Sequence, residues 1–288
     1  MLLIFLCYVI CDKNELTQSM SQEAVNDIAI TNKGVISSIK NYVKNLVENV
    51  QVPAAKTKAN TKTQSKPYSS SFESTTNDIN ERTDSEKMAY GSCGKNVYFT
   101  LYSDGKLVIS GSGNMIDLQF YDEGYWGEYS KYIKSVEIKD GVTSIGAGAF
   151  NKCVNITSVS IPASVTSIGI NAFDSCYELM YVKLPNNITA INGNTFYLCK
   201  KLSSIIIPES VNSIHDSAFA GSNLTSIYIP KSVSSIGIYA FACCLKLKAI
   251  NVAVENQAFM SKKGVLFNHD GTTLYAYPGG KKGRYSIP

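Results

Sequence analysis

The 288-residue chain has one tryptophan, Trp126, and two histidines, His215 and His269, so histidine-based catalysis and His-rich metal sites lack their raw material. Charged residues make up only 17% of the chain, with a formal net charge of +4. That charge is read as spread along the chain. Residues 156–247 carry five lysines against four acids, which leaves no phosphate-tracking stripe and argues against a nucleic-acid partner. There is no glycine-rich phosphate loop after a strand, no G-x-S-x-G, and no carboxylate pair that can be placed on one face. His215 and His269 both read as solvated turn residues. After the first eleven residues no apolar run approaches the roughly 20 residues of a membrane span. What the chain does have is 44% hydrophobic residues and 18 tyrosines, ample for a core.

Residues 1–11, MLLIFLCYVIC, form an apolar stretch followed by Asp12 and Lys13. The stretch is read as a cleaved secretory signal, with a buried N-terminal strand as the alternative. Within 12–52, Ile36, Ile39, Val43, Leu46 and Val50 recur at three- and four-residue steps, which predicts a short amphipathic helix stopped by Pro53. Residues 53–89 form a Ser/Thr-rich linker: from Lys56 to Lys87, 12 of 32 residues are Ser or Thr, too polar to offset the entropy of ordering. Three sequons, at Asn155, Asn187 and Asn223, are glycosylation candidates that accord with export to a secreted or cell-surface location.

From residue 90 the pattern becomes β-rich. Val97, Phe99 and Leu101 alternate with polar residues, Asp104-Gly105 supplies a tight turn, and Leu107 and Ile109 return, so residues 90–132 read as a small capping β unit. Over 133–288 the chain repeats itself. Phe150, Phe173, Phe196, Phe219 and Phe241 are separated by 23, 23, 23 and 22 residues, each inside a near-copy of VSIPASVTSIGINAFDSC. In each unit a pair such as Val159 and Ile161 puts both side chains on one face of a short strand. A proline, Pro162, Pro185, Pro208 or Pro230, then ends that strand. Gly169 is read as the turn that wraps the chain back, with phenylalanine filling the interior. One unit has no partner for its apolar face, so the units are expected to stack into a continuous sheet, a mainly β repeat solenoid.

The motif from Val159 to Leu179 resembles the BspA-like class of leucine-rich repeat, found in surface and secreted proteins of host-associated microbes. CGKNVYFTLYSDGKLVISGSGNM is similar to the β unit that often opens such arrays, and the stretch near 264–278 resembles the family's hairpin insertion. The resemblance covers residues 90–288 and implies a right-handed solenoid that adheres or binds ligands without fixed catalytic residues. Departures are His215 in place of the turn glycine, Ser222 in place of cysteine, a fourth unit one residue short, and Ile287-Pro288 where a further unit would begin. The last reads as a truncated product or a bare C-terminal edge open to self-association.

Cys153, Cys176, Cys199 and Cys244 share one repeat position and are expected to form an internal column of apolar thiols. Disulfides between rungs and a metal site are the alternatives, and no metal or other cofactor is expected. Cys243 reads either as an exposed, reactive thiol or as a semi-buried one. If the valines and isoleucines point inward, the open face of the sheet carries Ser158 and Ser160, Tyr181 and Lys183, Ser204 and Ile206, Ser226 and Tyr228, and Asn251. This face is the candidate binding site for a host or extracellular protein or glycan. A solvated face whose aromatics only shield the ladder is the alternative. Three functional readings follow: a non-enzymatic extracellular binding module, a self-associating coat or scaffold, and an enzyme dependent on Cys243.

Overall fold

The computed structural model of the chain describes residues 85–118 and 126–283. The expected signal at 1–11, the helix within 12–52 and the linker as far as 84 lie outside the described residues. The chain divides into two units, Met1–Asn77 and Asp78–Pro288, and all described residues belong to the second. Its first strands are β1 (Lys87–Ser92), β2 (Val97–Tyr102), β3 (Lys106–Gly111), β4 (Gly113–Asn114), β5 (Ser135–Ile138), β6 (Val142–Ile145), β7 (Ser158–Ser160) and β8 (Ser167–Ile168). They continue as β9 (Tyr181–Val182), β10 (Ala190–Ile191), β11 (Ser213–Ile214), β12 (Ser226–Ile229), β13 (Ser235–Ile236), β14 (Ala249–Val252), β15 (Phe259–Lys262), β16 (Val265–Asn268) and β17 (Leu274–Ala276). A short 3-10 helix occupies Gly127–Tyr132.

The opening β unit is the head of the main sheet. Strands β1, β2 and β3 pair antiparallel, and β3 then pairs in parallel with β5, the first rung of the array. Lys87–Ala89, assigned above to the linker, pair with β2 and open β1. From β5 the sheet runs in parallel through β7 and β9, with Val136, Val159 and Val182 in register and buried. On the other side of each coil, β6 pairs with β8, and β10, β11 and β13 pair with one another. Most coils therefore contribute two short strands around one interior, a β-solenoid.

The phenylalanines fill that interior as a single column. Successive rings from Phe150 to Phe241 lie 5.2 to 5.8 Å apart, within 9° of parallel. Trp126 extends the column at its first end, stacked 5.7 Å from Phe150, and Phe99 closes it edge-on. The indole N–H of Trp126 donates to Ala149 O at 2.6 Å. The equivalent carbonyls of the next three coils, Ala172, Thr195 and Ala218, each accept the backbone N–H of the preceding phenylalanine. Trp126 therefore continues the ring stack and also supplies the donor that a preceding phenylalanine's backbone would give.

The wrapping turns sit on either side of each phenylalanine and not at the glycine that the sequence suggests. Residues two before and two after each ring have positive φ: Asn171 and Ser175, Asn194 and Leu198, Tyr239 and Cys243. Gly169 has no positive φ. It is required because a Cβ there would lie 2.3 Å from the backbone nitrogen of Ala147. In the third coil Asn192 takes that position, and its side-chain Nδ2 donates to Ile168 O at 2.6 Å. In neighbouring coils the backbone N–H of Gly169 or His215 makes the matching bond. The β8–β10 ladder is absent at that point.

The main sheet is also interrupted, where a continuous one was expected. Residues 203–207 form no strand between β9 and β12, and β12 pairs only with β14. Thr225 N–H to Ser203 O, at 3.0 Å, links the two sides. The interruption sits at the unit whose spacing falls from 23 to 22 residues.

At the far end, β15, β16 and β17 form an antiparallel hairpin sheet, with Lys263 and Gly264 both at positive φ in the β15–β16 turn. Such a pair suits a two-residue hairpin loop. The hairpin folds against β14: Ile250 N–H donates to Gly264 O at 2.9 Å, and Ser261 Oγ donates to Ile250 O at 2.7 Å. The chain's own insertion thus engages β14, while the C-terminal edge expected to be bare, at Ile287-Pro288, lies outside the described residues. Asn256 fastens the base of this hairpin. Its Nδ2 donates to Pro230 O and Val233 O, and its Oδ1 accepts from Ala258 N and Phe259 N, all at 2.8 to 2.9 Å.

Candidate binding surface

Inward valine and isoleucine side chains force the alternate positions of each rung outward. Ser158 and Ser160 on β7, Tyr181 on β9, Lys183, Ser204, Ile206, Ser226 and Tyr228 on β12, and Asn251 on β14 are all exposed. Ser158 is in register with Tyr181, and Tyr228 with Asn251. By repeat position Ile206 and Tyr228 share one column, and Tyr181 stands in the adjacent column one coil earlier. Ile206 is 85% exposed, Tyr181 61% and Tyr228 53%. Met180, not singled out above, is exposed beside Tyr181 and extends the apolar patch. Nothing in this patch is charged except Lys183. At the first rung, by contrast, Glu137 lies between Lys106, at 2.7 Å, and Lys139, and these two ammonium groups hold its carboxyl below the usual range.

The remaining candidates have structural roles. Cys153, Cys176 and Cys199 are buried free thiols. Cys176 Sγ donates to Phe150 O at 3.2 Å, Cys199 Sγ to Phe173 O at 3.3 Å and Cys244 Sγ to Phe219 O at 3.1 Å. Each thiol thus ties its coil to the one before. Burial pushes the Cys153 thiol up to about 12 and that of Cys176 well above its ordinary value, so these groups stay protonated. Ser222 keeps the column polar and lies 3.4 Å from Cys244 Sγ. Cys243 is 7% exposed, which removes the exposed thiol on which the enzyme reading rested. His215 and His269 are exposed, as expected; His269 Nδ1 lies 2.9 Å from Asn256 O. Among the described residues, no group of three or more His, Cys, Asp or Glu could hold a metal ion.

The sequons have a second use. Asn155 Nδ2 donates to Lys131 O, Asn187 Nδ2 to Ala163 O, and Asn223 Nδ2 to Lys200 O, each reaching the preceding coil. Thr157 and Thr225 hydroxyls make similar bonds to Lys134 O and Ser203 O. At 155–157 and 223–225 the Asn-apolar-Thr order is therefore a coil-to-coil staple around a buried Ile156 or Leu224.

Asp174 occupies a turn position beside the column, half-buried. Burial raises its carboxyl, and the Ser175 hydroxyl, 2.8 Å away, and Lys152 offset this only in part. An acid raised on folding binds its proton more tightly in the native state, so stability is lost as pH rises through the folded-state value. Asp174→Asn is expected to be more stable than the parent chain at pH 7, and the difference should vanish as pH falls below 3.8, the ordinary value for the group. Thermal melts across that range measure it, and a difference independent of pH would contradict it.

Stacked rings, two strands per coil and an outward face free of a catalytic constellation among the described residues define a β-solenoid repeat protein. Residues 128–248 match the family described as the BspA type leucine rich repeat region, in 6 copies, and this stretch is a BspA-type leucine-rich-repeat array. A leucine-rich repeat protein from Eubacterium ventriosum is similar at 28% identity with a TM-score of 0.59, over 68% of this chain and 52% of that one. A leucine rich cell surface protein from Faecalibacterium prausnitzii is 24% identical, with a TM-score of 0.47, over 67% of this chain and 62% of that one. The pneumococcal vaccine antigen PcpA is 21% identical, with a TM-score of 0.46, over 72% and 60%. The chain thus spans about half the length of the Eubacterium protein. No curated protein matches the sequence. No helix among the described residues is long and apolar enough to cross a membrane. Leucine-rich-repeat arrays of this family accord with a general binding or adhesive role.

Proposed function

We propose that the chain is an extracellular, non-enzymatic binding module of a secreted or cell-surface protein, and that the outward face of its parallel sheet holds a partner protein around Tyr181, Ile206 and Tyr228. One observation carries this: a branched aliphatic side chain left 85% exposed between two exposed tyrosines on a rigid scaffold. Tyrosine offers a large contact area with a polar tip at little entropic cost, and an unshielded isoleucine gains free energy only when a partner covers it. Met180 extends the same apolar surface, which favours a protein over a glycan.

The test is binding of the whole chain to a panel of purified host extracellular-matrix proteins. Tyr181→Ala/Tyr228→Ala is expected to lose at least about tenfold in affinity while keeping its melting temperature, as truncation of paired aromatic anchors does elsewhere. Unchanged binding by the folded double variant removes this surface from consideration.

A further inference from the structure

The net charge is not spread evenly. Residues 244–283 hold Lys246, Lys248, Lys262, Lys263, Lys281 and Lys282 against Glu255 and Asp270, a balance of six less two, or +4, equal to that of the entire chain. In sequence these lysines form three separate pairs and no run of basic residues. The fold brings the pairs together.

Lys246 and Lys248 lie on the segment entering β14. The Pro278-Gly279-Gly280 turn is laid directly on that segment: Gly280 N–H donates to Leu247 O at 2.8 Å, and a Cβ on Gly280 would lie 2.6 Å from the Lys246 carbonyl carbon. Lys281, whose N–H closes the turn on Pro278 O, and Lys282 follow at once. From the other side the β15–β16 turn approaches the same segment. A Cβ on Gly264 would touch Ala249 Cβ at 2.9 Å, which sets Lys263 beside Lys248. Only a residue without a side chain fits at Gly264 and Gly280, so the close approach of the basic segments is built into the sequence.

Lys246, Lys248, Lys263 and Lys282 are exposed and Lys281 is partly so. The ion pairs among the described residues are Lys106–Glu137, Lys139–Glu137 and Lys201–Glu178, and none uses these five. Asp270 is occupied by the amide and hydroxyl of Thr272. Lys262 is committed elsewhere, its Nζ 3.2 Å from Gly271 O and over the Phe267 ring. Five lysines on three neighbouring segments, none in an ion pair among the described residues, make a positive patch that a bound polyanion would neutralise.

We propose that Lys246, Lys248, Lys263, Lys281 and Lys282 form a binding site for a sulfated, polyanionic polysaccharide, separate from the Tyr181 and Tyr228 face. The chemistry of the cluster selects this class over nucleic acid. All five lysines of the cluster carry point charges with no planar fork for bidentate contact with phosphate or a guanine edge. The exposed aromatic side chain of this region, Tyr275, is packed edge-on against Phe259 at 5.0 Å, and a single ring makes no stacking platform for successive bases. A sulfated glycan needs neither, since its sulfate and carboxylate groups are met by point charges.

The experiment uses the full chain and immobilised heparin as the probe, over a series of salt concentrations. The unmodified chain is expected to bind heparin but neither fully desulfated heparin nor dextran, and to bind duplex DNA of matched charge at least tenfold more weakly. Lys246→Gln/Lys248→Gln and Lys281→Gln/Lys282→Gln should each lose about tenfold at low salt and lower the slope of log affinity against log salt by roughly one for each lysine removed. Lys131→Gln/Lys134→Gln, at the opposite end of the array, should behave as the parent chain does. So should Tyr181→Ala/Tyr228→Ala, which makes failure here distinguishable from failure of the sheet face. Heparin affinity unchanged in both lysine variants, equal loss in the Lys131/Lys134 control, absence of heparin binding by the parent chain, or DNA binding as tight as heparin binding each overturns the proposal.

Discussion

Truncating Phe196 to alanine is expected to lower the unfolding free energy by about 3–5 kcal/mol, the range for removing a fully buried aromatic ring. Phe196 sits mid-column, its ring 5.6 Å from that of Phe173 on one side and 5.6 Å from that of Phe219 on the other. Both neighbours lose a stacking partner, and the surrounding coils are held by backbone ladders that cannot close over the void. In a stacked array each unit contacts only those beside it, so the damage should divide the protein into two weakly coupled halves. Trp126, the only tryptophan, reports on the first half alone. Its emission and far-ultraviolet circular dichroism should coincide during denaturation of the parent chain and separate in Phe196→Ala. Phe196→Leu should recover part of the loss. A change below about 1 kcal/mol would mean that the column contributes little and that the ladders carry the fold.

Replacing Asn256 with alanine is the second change expected to be severe. The side chain is 1% exposed and makes four hydrogen bonds to backbone groups of the segment after β12 and of the start of β15. Alanine leaves two carbonyls and two N–H groups without these partners, at roughly 1–3 kcal/mol for each group that stays buried. A loss of at least about 3 kcal/mol follows, and it should fall on the junction between the hairpin and the array. Hydrogen exchange separates the cases: amides of β14, β15 and β16 should lose protection while those of β5 and β7 keep theirs. Equal protection in both regions would show that the clamp is dispensable.

The outward ladder and the phenylalanine row were legible because they rest on two periods, two residues along a strand and 23 along the chain. The side of each strand that faces solvent follows from Val159 or Val182 facing in. Trp126 stands 24 residues before Phe150, close to the repeat spacing, yet a change of residue type hid its place in the column. The sequence position of Gly169 suggests a turn, whereas the requirement is the approach of Ala147 from the coil below, a contact 22 residues away. The roles of Asn256 and of the sequon asparagines depend on which carbonyl lies within reach of a side-chain amide, and nothing in local sequence encodes that. The lysine cluster was missed for a related reason. Charge summed over a linear window cannot show that two glycine-mediated contacts fold 246–248, 263 and 281–282 onto one another.

Beside the phenylalanine column the backbone bonds run one way. The N–H groups of Gly148, Phe150 and Lys152 point to Ile170, Ala172 and Asp174, those of Asn171, Phe173 and Ser175 point to Gly193, Thr195 and Tyr197, and later coils follow suit. Along this segment every coil gives on one side and receives on the other, like a stack of nested cups, whereas Thr157, Thr166 and Gly169 donate in the opposite sense. An additional coil, whether from duplication of 23 residues or from another molecule, can extend this ladder only if it arrives in the same sense. Two copies meeting at like ends along this segment would set donor against donor or acceptor against acceptor, so this part of the coil cannot pair about a two-fold axis.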